Sequence, residues 1–215
     1  MAAATPQTEH LHAEARGLDQ RDDAAILLSL LNGQRQALAS LGAALPEIAR
    51  GAGFMAEAIA KSGRIHYAAA GSSGLMSLAD CAEIPGTFGI SPEQLRISMA
   101  GGIPSGAEMP GSTEDDAASA LAAAAEVQPG DVVIAVSASG STPYPMAFAT
   151  RARSIGAKVV AMANNGDAEL FAHADAAIHL DTPPEVIAGS TRLGAGTAQK
   201  AALNMMSTLM GIRLG

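Results

Sequence analysis

The sequence predicts an α/β fold, a three-layer doubly wound sheet of about five parallel strands preceded by N-terminal helices. Two observations predict it. Short apolar segments alternate with helical patterns from residue 64 onward. The hydrophobic residues, 48% of the chain, are almost all aliphatic, with aromatic residues at only 3% and no Trp. Such a composition suits helices that pack closely on both faces of a buried parallel sheet.

The beginning of the chain is predicted to be an arm followed by helices. Residues 1–21 carry no sustained periodicity and are assigned to an N-terminal arm, whereas residues 22–215 are assigned to a single domain. From residue 22 to residue 60, aliphatic residues recur at helical spacing, which predicts two or three helices. Pro46 suits the first turn of one of them, because proline lacks the N–H that this turn leaves unpaired.

The elements of the sheet follow in alternation. Strands are predicted at 64–70, 95–100, 131–136, 158–162 and 176–180, and helices at 75–83, 114–126, 143–155, 167–172 and 197–213. Helical connections between adjacent strands imply right-handed crossovers and parallel strands, and parallel strands have their carboxyl ends at the same edge of the sheet. Ligands of doubly wound sheets bind at this edge.

Three turns rich in Gly, Ser and Thr are predicted at this edge, at 70–74, 137–143 and 185–200. The first turn of a helix has unpaired N–H groups and a partial positive charge, so each turn is a potential anion site. Any one of them could simply cap a helix, but the hydroxyls at 137–142 exceed what one cap needs. Neither a Walker loop nor a Gly-x-Gly-x-x-Gly pattern is present, which favours a compact sugar phosphate over a nucleotide.

Charge and cysteine content restrict the partners. The formal net charge is −8, so neither nucleic acid nor an anionic membrane is expected to bind. The single Cys81 excludes an internal disulfide and a multi-thiolate metal site, and no two histidines have ligand spacing. We therefore expect no metal and no cofactor. The chain shows neither a signal peptide nor an apolar run of spanning length, so a cytoplasmic location is expected.

Five motifs occur in order along the chain. They are Ala-Gly-Ser-Ser-Gly-Leu (70–75), Ala-Glu-Ile-Pro-Gly-Thr-Phe-Gly (82–89), Gly-Ser-Thr-Glu-Asp (111–115), Ala-Ser-Gly-Ser-Thr-Pro-Tyr (138–144) and Gly-Ser-Thr-Arg-Leu-Gly-Ala-Gly-Thr-Ala-Gln-Lys (189–200). They resemble the motifs of the sugar isomerase (SIS) domain superfamily, a flavodoxin-like phosphosugar-binding fold. Within that superfamily the chain is most similar to the N-acetylmuramic acid 6-phosphate etherases, and the likeness extends from Thr8 to Gly215.

The resemblance implies a lyase. Such an enzyme cleaves the D-lactyl ether of N-acetylmuramic acid 6-phosphate by elimination and water addition, giving N-acetylglucosamine 6-phosphate and D-lactate in the recycling of cell-wall amino sugars. The motifs place the proton donor at Glu83 and the second catalytic residue, the base for the C2 proton, at Glu114. Substrate or phosphate is expected to contact Gly71, Ser72, Ser73, Ser137, Ser139, Ser141, Thr142, Glu185, Ser190 and Thr191, while Thr197 is expected to cap the last helix.

The residues themselves give weaker support for the two catalytic positions. Glu83 is expected to be half-buried at the end of a short helix, among apolar neighbours and before Pro85, a setting that suits a proton donor. Glu114 is expected to open a helix. From its position alone Glu114 is interpreted as a helix-start carboxylate favoured by the helix dipole, and only the resemblance implies a catalytic role.

Four positions depart from the family motifs. Leu75 and Ser141 stand where the family has Arg, Gly194 where it has Lys, and Gly111 where it has Glu. A Ser cannot replace an Arg as the bidentate partner of a phosphate or carboxylate. Two other functions therefore remain open: an aldose–ketose phosphosugar isomerase and a non-catalytic phosphosugar-binding regulator. The resemblance also implies a homodimer with shared active sites, with the N-terminal arm over a neighbouring site.

Overall fold

The structure, a computed structural model, describes residues 7–215. The helices are α1 (Asp23–Ala39), α2 (Leu41–Ala60), α3 (Gly71–Phe88), α4 (Ala117–Ala123), α5 (Pro143–Ile155) and α6 (Gly194–Leu214). The strands are β1 (Ile65–Ala69), β2 (Leu95–Met99), β3 (Val132–Ser137), β4 (Lys158–Ala163) and β5 (Ala176–His179). Short 3-10 helices at Gln7–Glu9, Leu18–Gln20, Pro92–Gln94, Ala124–Glu126 and Glu169–His173 complete the described elements.

The five strands form one parallel sheet in the order β2-β1-β3-β4-β5. One hydrophobic cluster joins one face of the sheet to residues of α1, α2, α3 and α6, and a second joins the other face to α4 and α5. The molecule therefore has the predicted three layers, and the predicted fold class is confirmed. No helix among residues 7–215 is both long enough and apolar enough to cross a bilayer.

Small residues in the helices allow this close packing. Every residue of β3 is buried, as expected for a central parallel strand covered on both faces. A Cβ atom at Gly51 of α2 would lie 2.6 Å from the Met206 Sδ of α6 and 3.3 Å from a methyl carbon of Val160 in β4. Only glycine therefore lets α2 approach both neighbours this closely.

Several helix boundaries differ from the prediction. Pro85 does not end α3, which continues to Phe88, where the Phe88 ring lies against the backbone of Gly211 in α6. This contact stabilises a last turn that proline deprives of one hydrogen bond. Pro46 is inside α2, beyond its first turn, because the helix begins at Leu41.

Two other helices begin at residues different from those predicted. The helix predicted at 114–126 begins at Ala117, after its N-cap Asp116, so Glu114 lies in the turn before it. The last helix begins at Gly194, so Thr197 is an interior helical residue and the expectation that it caps the helix is wrong. The helix predicted at 167–172 is the 3-10 helix Glu169–His173.

The arm is described only in part, since its first six residues lie outside the described range. Residues 7–21 contain two 3-10 helices and pack on the domain, with Leu18 buried. The Arg21 guanidinium donates to Ser29 Oγ of α1 (3.2 Å) and to the Glu14 carbonyl (3.0 Å). The described part of the arm is thus held by specific contacts.

A buried His–Asp pair at the amino-terminal edge of the sheet gives a pH prediction. Asp131 accepts hydrogen bonds from His66 Nε2 (3.0 Å) and from the N–H groups of Arg64 (2.8 Å) and Gln128 (2.9 Å). Burial lowers the pKa of His66, and the hydrogen bond to Asp131 opposes that shift without cancelling it. The folded protein therefore holds the ring neutral at a pH where the unfolded chain binds a proton.

Stability is consequently expected to fall on acidification. Below the unfolded pKa of about 6.5 the unfolded state gains a proton that the folded state resists, so the free energy of unfolding decreases by at most about 1.4 kcal/mol per pH unit from this group, down to the folded pKa. Denaturant unfolding between pH 5 and 8 should show this slope in wild type and lose it in His66→Gln, which keeps a neutral donor for Asp131. An unchanged pH profile in the variant would contradict the assignment.

Candidate active site

A cavity of about 240 Å³ opens at the carboxyl ends of β1 and β3. The chain continues from β1 to β2 on one side of this point and from β3 to β4 on the other side. Doubly wound sheets usually bind their ligands at such a switch point. Its lining residues are Thr8, Ala70, Gly71, Ser72, Ser73, Glu114, Val136, Ser137, Ala138, Ser139, Thr142, Gly189 and Thr191. The cavity is lined mostly by hydroxyl groups and small residues.

The amino terminus of α3 forms one wall of the cavity. The N-cap residue, Ala70, has no side chain that could accept from the first turn, so the N–H groups there remain available to a ligand. Gly71 has φ +53°, a left-handed conformation that turns the chain sharply from β1 into the helix. Together with the Ser72 and Ser73 hydroxyls, this wall is suited to bind an anion.

Three hydroxyl groups, at the end of β3 and in the turn that follows it, form another wall of the cavity. Ser137 Oγ lies 2.8 Å from Thr142 Oγ1 and 3.3 Å from Ser139 Oγ. Ser139 Oγ and Thr142 Oγ1 are 3.3 Å apart. The turn that carries them is closed by the Gly140 N–H, which donates to Ser137 Oγ (3.0 Å). We call Ser137, Ser139 and Thr142 the hydroxyl cluster. Its oxygens can each donate to or accept from a ligand oxygen.

Glu114 joins this cavity from the loop before α4. Its carbonyl oxygen accepts from the Tyr144 N–H of α5 (3.0 Å), which fixes the backbone of the loop beside the hydroxyl cluster. The Glu114 carboxylate is exposed and lines the cavity. Among the described residues, no Lys or Arg side chain lines the cavity, so Glu114 is its charged group.

Glu83, by contrast, does not line this cavity in the single chain. It is exposed on α3, so the expectation of a half-buried carboxyl is wrong, because α3 continues past Pro85 and keeps Glu83 on its outer surface. It lines a cleft between α3 and α6. At the base of this cleft, the buried Asp80 accepts from the Tyr67 hydroxyl (2.8 Å).

The same Asp80 carboxylate binds α6. Its Oδ1 accepts from Asn204 Nδ2 (2.8 Å) and from Ser207 Oγ (2.8 Å). Burial, followed by the charge of Asp80, raises the pKa of Tyr67 well above its usual range, so the phenol remains a hydrogen-bond donor. This network joins β1, α3 and α6 and fixes the helix that carries Glu83.

Three of the predicted substrate contacts are not part of the cavity. Glu185 is 4% exposed, and its carboxylate accepts from the N–H groups of Gly194 (2.9 Å) and Ala195 (2.8 Å) at the start of α6. The expectation that Glu185 faces the sugar is therefore wrong: it occupies the anion site that the α6 terminus offers. Ser141 is exposed beside the hydroxyl cluster, and Ser190 also lies outside the lining.

The remaining predicted contacts do come together: Gly71, Ser72, Ser73, Ser137, Ser139, Thr142 and Thr191. The predicted site residues did not include five residues that line the cavity: Thr8, Ala70, Val136, Ala138 and Gly189. Gly189 is the first residue of the motif at 189–200, so the motif could have indicated that it lines the cavity. Thr8 carries no signal in the residue pattern itself, because its position depends on contacts with residues more than 150 positions away.

The four departures from the family motifs have different surroundings. Leu75, Gly111 and Ser141 are exposed. Gly194 is buried, and a Cβ there would lie 3.2 Å from both the Ala37 Cβ of α1 and Glu185 Oε2. Gly194 thus allows α1, α6 and the Glu185 carboxylate to meet without an intervening side chain.

The acidic, histidine and cysteine side chains of the described residues are dispersed. Within residues 7–215, no group of three or more His, Cys, Asp or Glu side chains is arranged to hold a metal ion. The buried Cys81 thiol, whose pKa burial raises to about 11, is not suited to act as a thiolate. The groups that line the cavity can form hydrogen bonds to an anion, and the Glu114 carboxylate can accept a proton.

Comparison with known proteins agrees with this geometry. The family described as the SIS domain matches residues 33–164. The N-acetylmuramic acid 6-phosphate etherase of Symbiobacterium thermophilum is 41% identical over 97% of this chain and 70% of its own length, and that of Deinococcus radiodurans is 38% identical over 97% and 69%. The solved structure of a phosphoheptose isomerase from Francisella tularensis has a TM-score of 0.63 at 16% identity, covering 89% of this chain and 98% of its own.

Proposed function

Because the chain belongs to the SIS domain family and, within it, to the N-acetylmuramic acid 6-phosphate etherases, we propose that its cavity binds the 6-phosphosugar and that Glu114 and Glu83 carry out the elimination. The observation that supports this most strongly is the placement of Glu114. One cavity joins a carboxylate to an anion site built from a helix terminus and a hydroxyl cluster. A substrate with a phosphate at one end and an acidic C–H bond at the other needs both.

The phosphate is assigned to the wall formed by α3 and the hydroxyl cluster. The first-turn N–H groups of α3 and the hydroxyls of Ser72, Ser73, Ser137, Ser139 and Thr142 supply donors without a cation. Helix termini and hydroxyls bind phosphate by directed hydrogen bonds and a partial positive charge. The terminus of α6 cannot contribute, because Glu185 already accepts from its first two N–H groups.

The proposed chemistry follows from two proton transfers. In the ring-opened aldehyde the carbonyl acidifies the C2 proton, which the Glu114 carboxylate removes. The electron pair forms the C2–C3 double bond as the bond from C3 to the lactyl oxygen breaks, and the Glu83 carboxyl group gives its proton to that oxygen. Water then adds at C3 and a proton returns to C2, so the overall reaction consumes one water and releases D-lactate.

A homodimer would bring Glu83 to a cavity. The cleft that Glu83 lines shares Asn204 and Thr208 with an apolar groove between α2 and α6. Exposed apolar side chains line this groove, including Ile212, which is 70% exposed. We expect a second copy to cover the groove and bury these side chains, and shared active sites require that it also bring Glu83 to the partner's cavity. A cytoplasmic location fits the phosphorylated substrate.

The proposal is tested by incubating the protein with N-acetylmuramic acid 6-phosphate. We expect equal amounts of D-lactate and N-acetylglucosamine 6-phosphate. An aldose–ketose isomerase would convert a sugar phosphate into its ketose and release no lactate, and a regulator would bind the sugar phosphate without turnover. Either result from folded protein would contradict the etherase assignment.

A further inference from the structure

The 3-10 helix Gln7–Glu9, which we call the docked segment, is attached to the wall of the cavity by its own hydrogen bonds. The Thr8 N–H donates to Asn165 Oδ1 (3.4 Å), and Asn165 Nδ2 donates back to Thr8 Oγ1 (3.3 Å). Gln7 Nε2 donates to the Thr182 carbonyl (3.1 Å). Asn165 and Thr182 follow β4 and β5 and are 2% and 1% exposed, so the docked segment is bound to buried residues of the domain.

Asn165 connects the docked segment to the hydroxyl cluster. Its Nδ2 also donates to the carbonyls of Ala138 (3.1 Å) and Ser139 (3.2 Å), in the turn that carries the cluster. One buried amide therefore fixes both the turn and Thr8. Terminal segments are commonly poorly ordered unless specific contacts tie them down, and the hydrogen bonds to Asn165 and Thr182 supply such contacts here. The arrangement places Thr8 with a defined orientation at the cavity.

Thr8 has the properties of a ligand-binding residue. It lines the cavity and is only 2% exposed, although it belongs to the arm and to none of the layers of the fold. Its hydroxyl oxygen accepts from Asn165, which leaves the hydroxyl proton for an acceptor within the cavity. Thr8 lines the cavity of its own chain, so the expectation that the arm lies over a neighbouring site is wrong for the docked segment.

We infer that the docked segment completes the binding site, with Thr8 donating a hydrogen bond to an oxygen of the bound phosphosugar and Asn165 acting as its positioning residue. This inference rests on the proposed function only for the identity of the sugar phosphate. Loss of the Thr8 hydroxyl is expected to weaken substrate binding and not the chemical step, because Thr8 carries no group that transfers a proton during the elimination.

Thr8→Val and Thr8→Ser test this inference, since Val keeps the shape of Thr and removes the hydroxyl, whereas Ser keeps the hydroxyl. With N-acetylmuramic acid 6-phosphate, we expect Thr8→Val to raise KM by about tenfold with kcat within about twofold of wild type, the effect of one lost hydrogen bond to substrate. Thr8→Ser should restore KM. Thr150→Val, which removes an exposed hydroxyl on α5, is the matched control and should change neither constant.

A second readout does not depend on activity. Calorimetric binding of N-acetylglucosamine 6-phosphate should be weakened about tenfold by Thr8→Val and restored by Thr8→Ser, even if wild type releases no lactate. Hydrogen exchange at residues 7–9 should be faster in Asn165→Ala than in wild type, and its binding should weaken as in Thr8→Val. Unchanged KM and binding in folded Thr8→Val would overturn the inference, as would a Thr8→Ser variant no better than Thr8→Val.

Discussion

Glu114→Gln is expected to lower kcat for lactate release by about three orders of magnitude, the usual contribution of a positioned general base. Gln has nearly the shape of Glu but cannot take the C2 proton. The Glu114 backbone remains fixed by the Tyr144 N–H, and the side chain is exposed, so folding should be unaffected. Binding of N-acetylglucosamine 6-phosphate should be retained, because the proposed phosphate site is formed by α3 and the hydroxyl cluster and does not include Glu114.

The adjacent Asp115 provides the control. It is an exposed carboxylate on the same loop, but it does not line the cavity. Asp115→Asn should therefore leave kcat within about twofold of wild type, as expected for a surface charge that makes no contact with substrate. Comparable losses in the two variants would indicate that the loop, and not the Glu114 carboxylate, is what matters. A fully active Glu114→Gln would contradict its assignment as the base.

Glu83→Gln is expected to cause a loss of similar size, about two to four orders of magnitude in kcat, because lactate would leave without a proton. Since Glu83 is exposed on α3, the variant should fold and bind sugar phosphate as wild type does. Glu169→Gln, another exposed carboxylate in a helical segment, is the control and should be as active as wild type.

Mixing the two inactive variants tests whether the sites are shared. In the single chain Glu83 and Glu114 line different clefts. If each active site takes Glu83 from one copy and Glu114 from the other, a heterodimer of Glu83→Gln and Glu114→Gln contains one intact site. Unfolding and refolding an equal mixture should then restore about a quarter of wild-type activity, the statistical share of intact sites in a twofold dimer. No recovery in a mixture shown to contain heterodimers would contradict shared sites.

The fold was predictable because its signals are local. Continuous apolar runs such as Val-Val-Ile-Ala-Val at 132–136 predict buried strands, and the alternation with helices predicts the parallel sheet. Helix ends were less predictable, since they depend on tertiary contacts. The packing of Phe88 on Gly211 extends α3 past Pro85, and no pattern near Pro85 reports a residue that lies so far along the chain.

The positions of the candidate site residues were predictable where these residues lie in one turn directly after a strand. The hydroxyls at 72–73 and 137–142 follow buried strands, so their position at the carboxyl edge follows from the topology. Glu185 could not be placed this way, because a carboxylate near a helix start suits both a ligand contact and internal capping. The structure shows the second, in two hydrogen bonds to the α6 terminus. Thr8 depends on pairing with Asn165, which only the folded chain reveals.

Isotope incorporation tests the proposed elimination most directly. The reaction with N-acetylmuramic acid 6-phosphate is run in D2O and, separately, in water enriched in oxygen-18, and both products are analysed by mass spectrometry and NMR. The mechanism predicts deuterium at C2 and oxygen-18 at C3 of N-acetylglucosamine 6-phosphate, with unlabelled ether oxygen in D-lactate. Retention of the original C2 proton together with oxygen-18 in the lactate hydroxyl would indicate hydrolysis at the lactyl carbon and would contradict the roles given to Glu114 and Glu83.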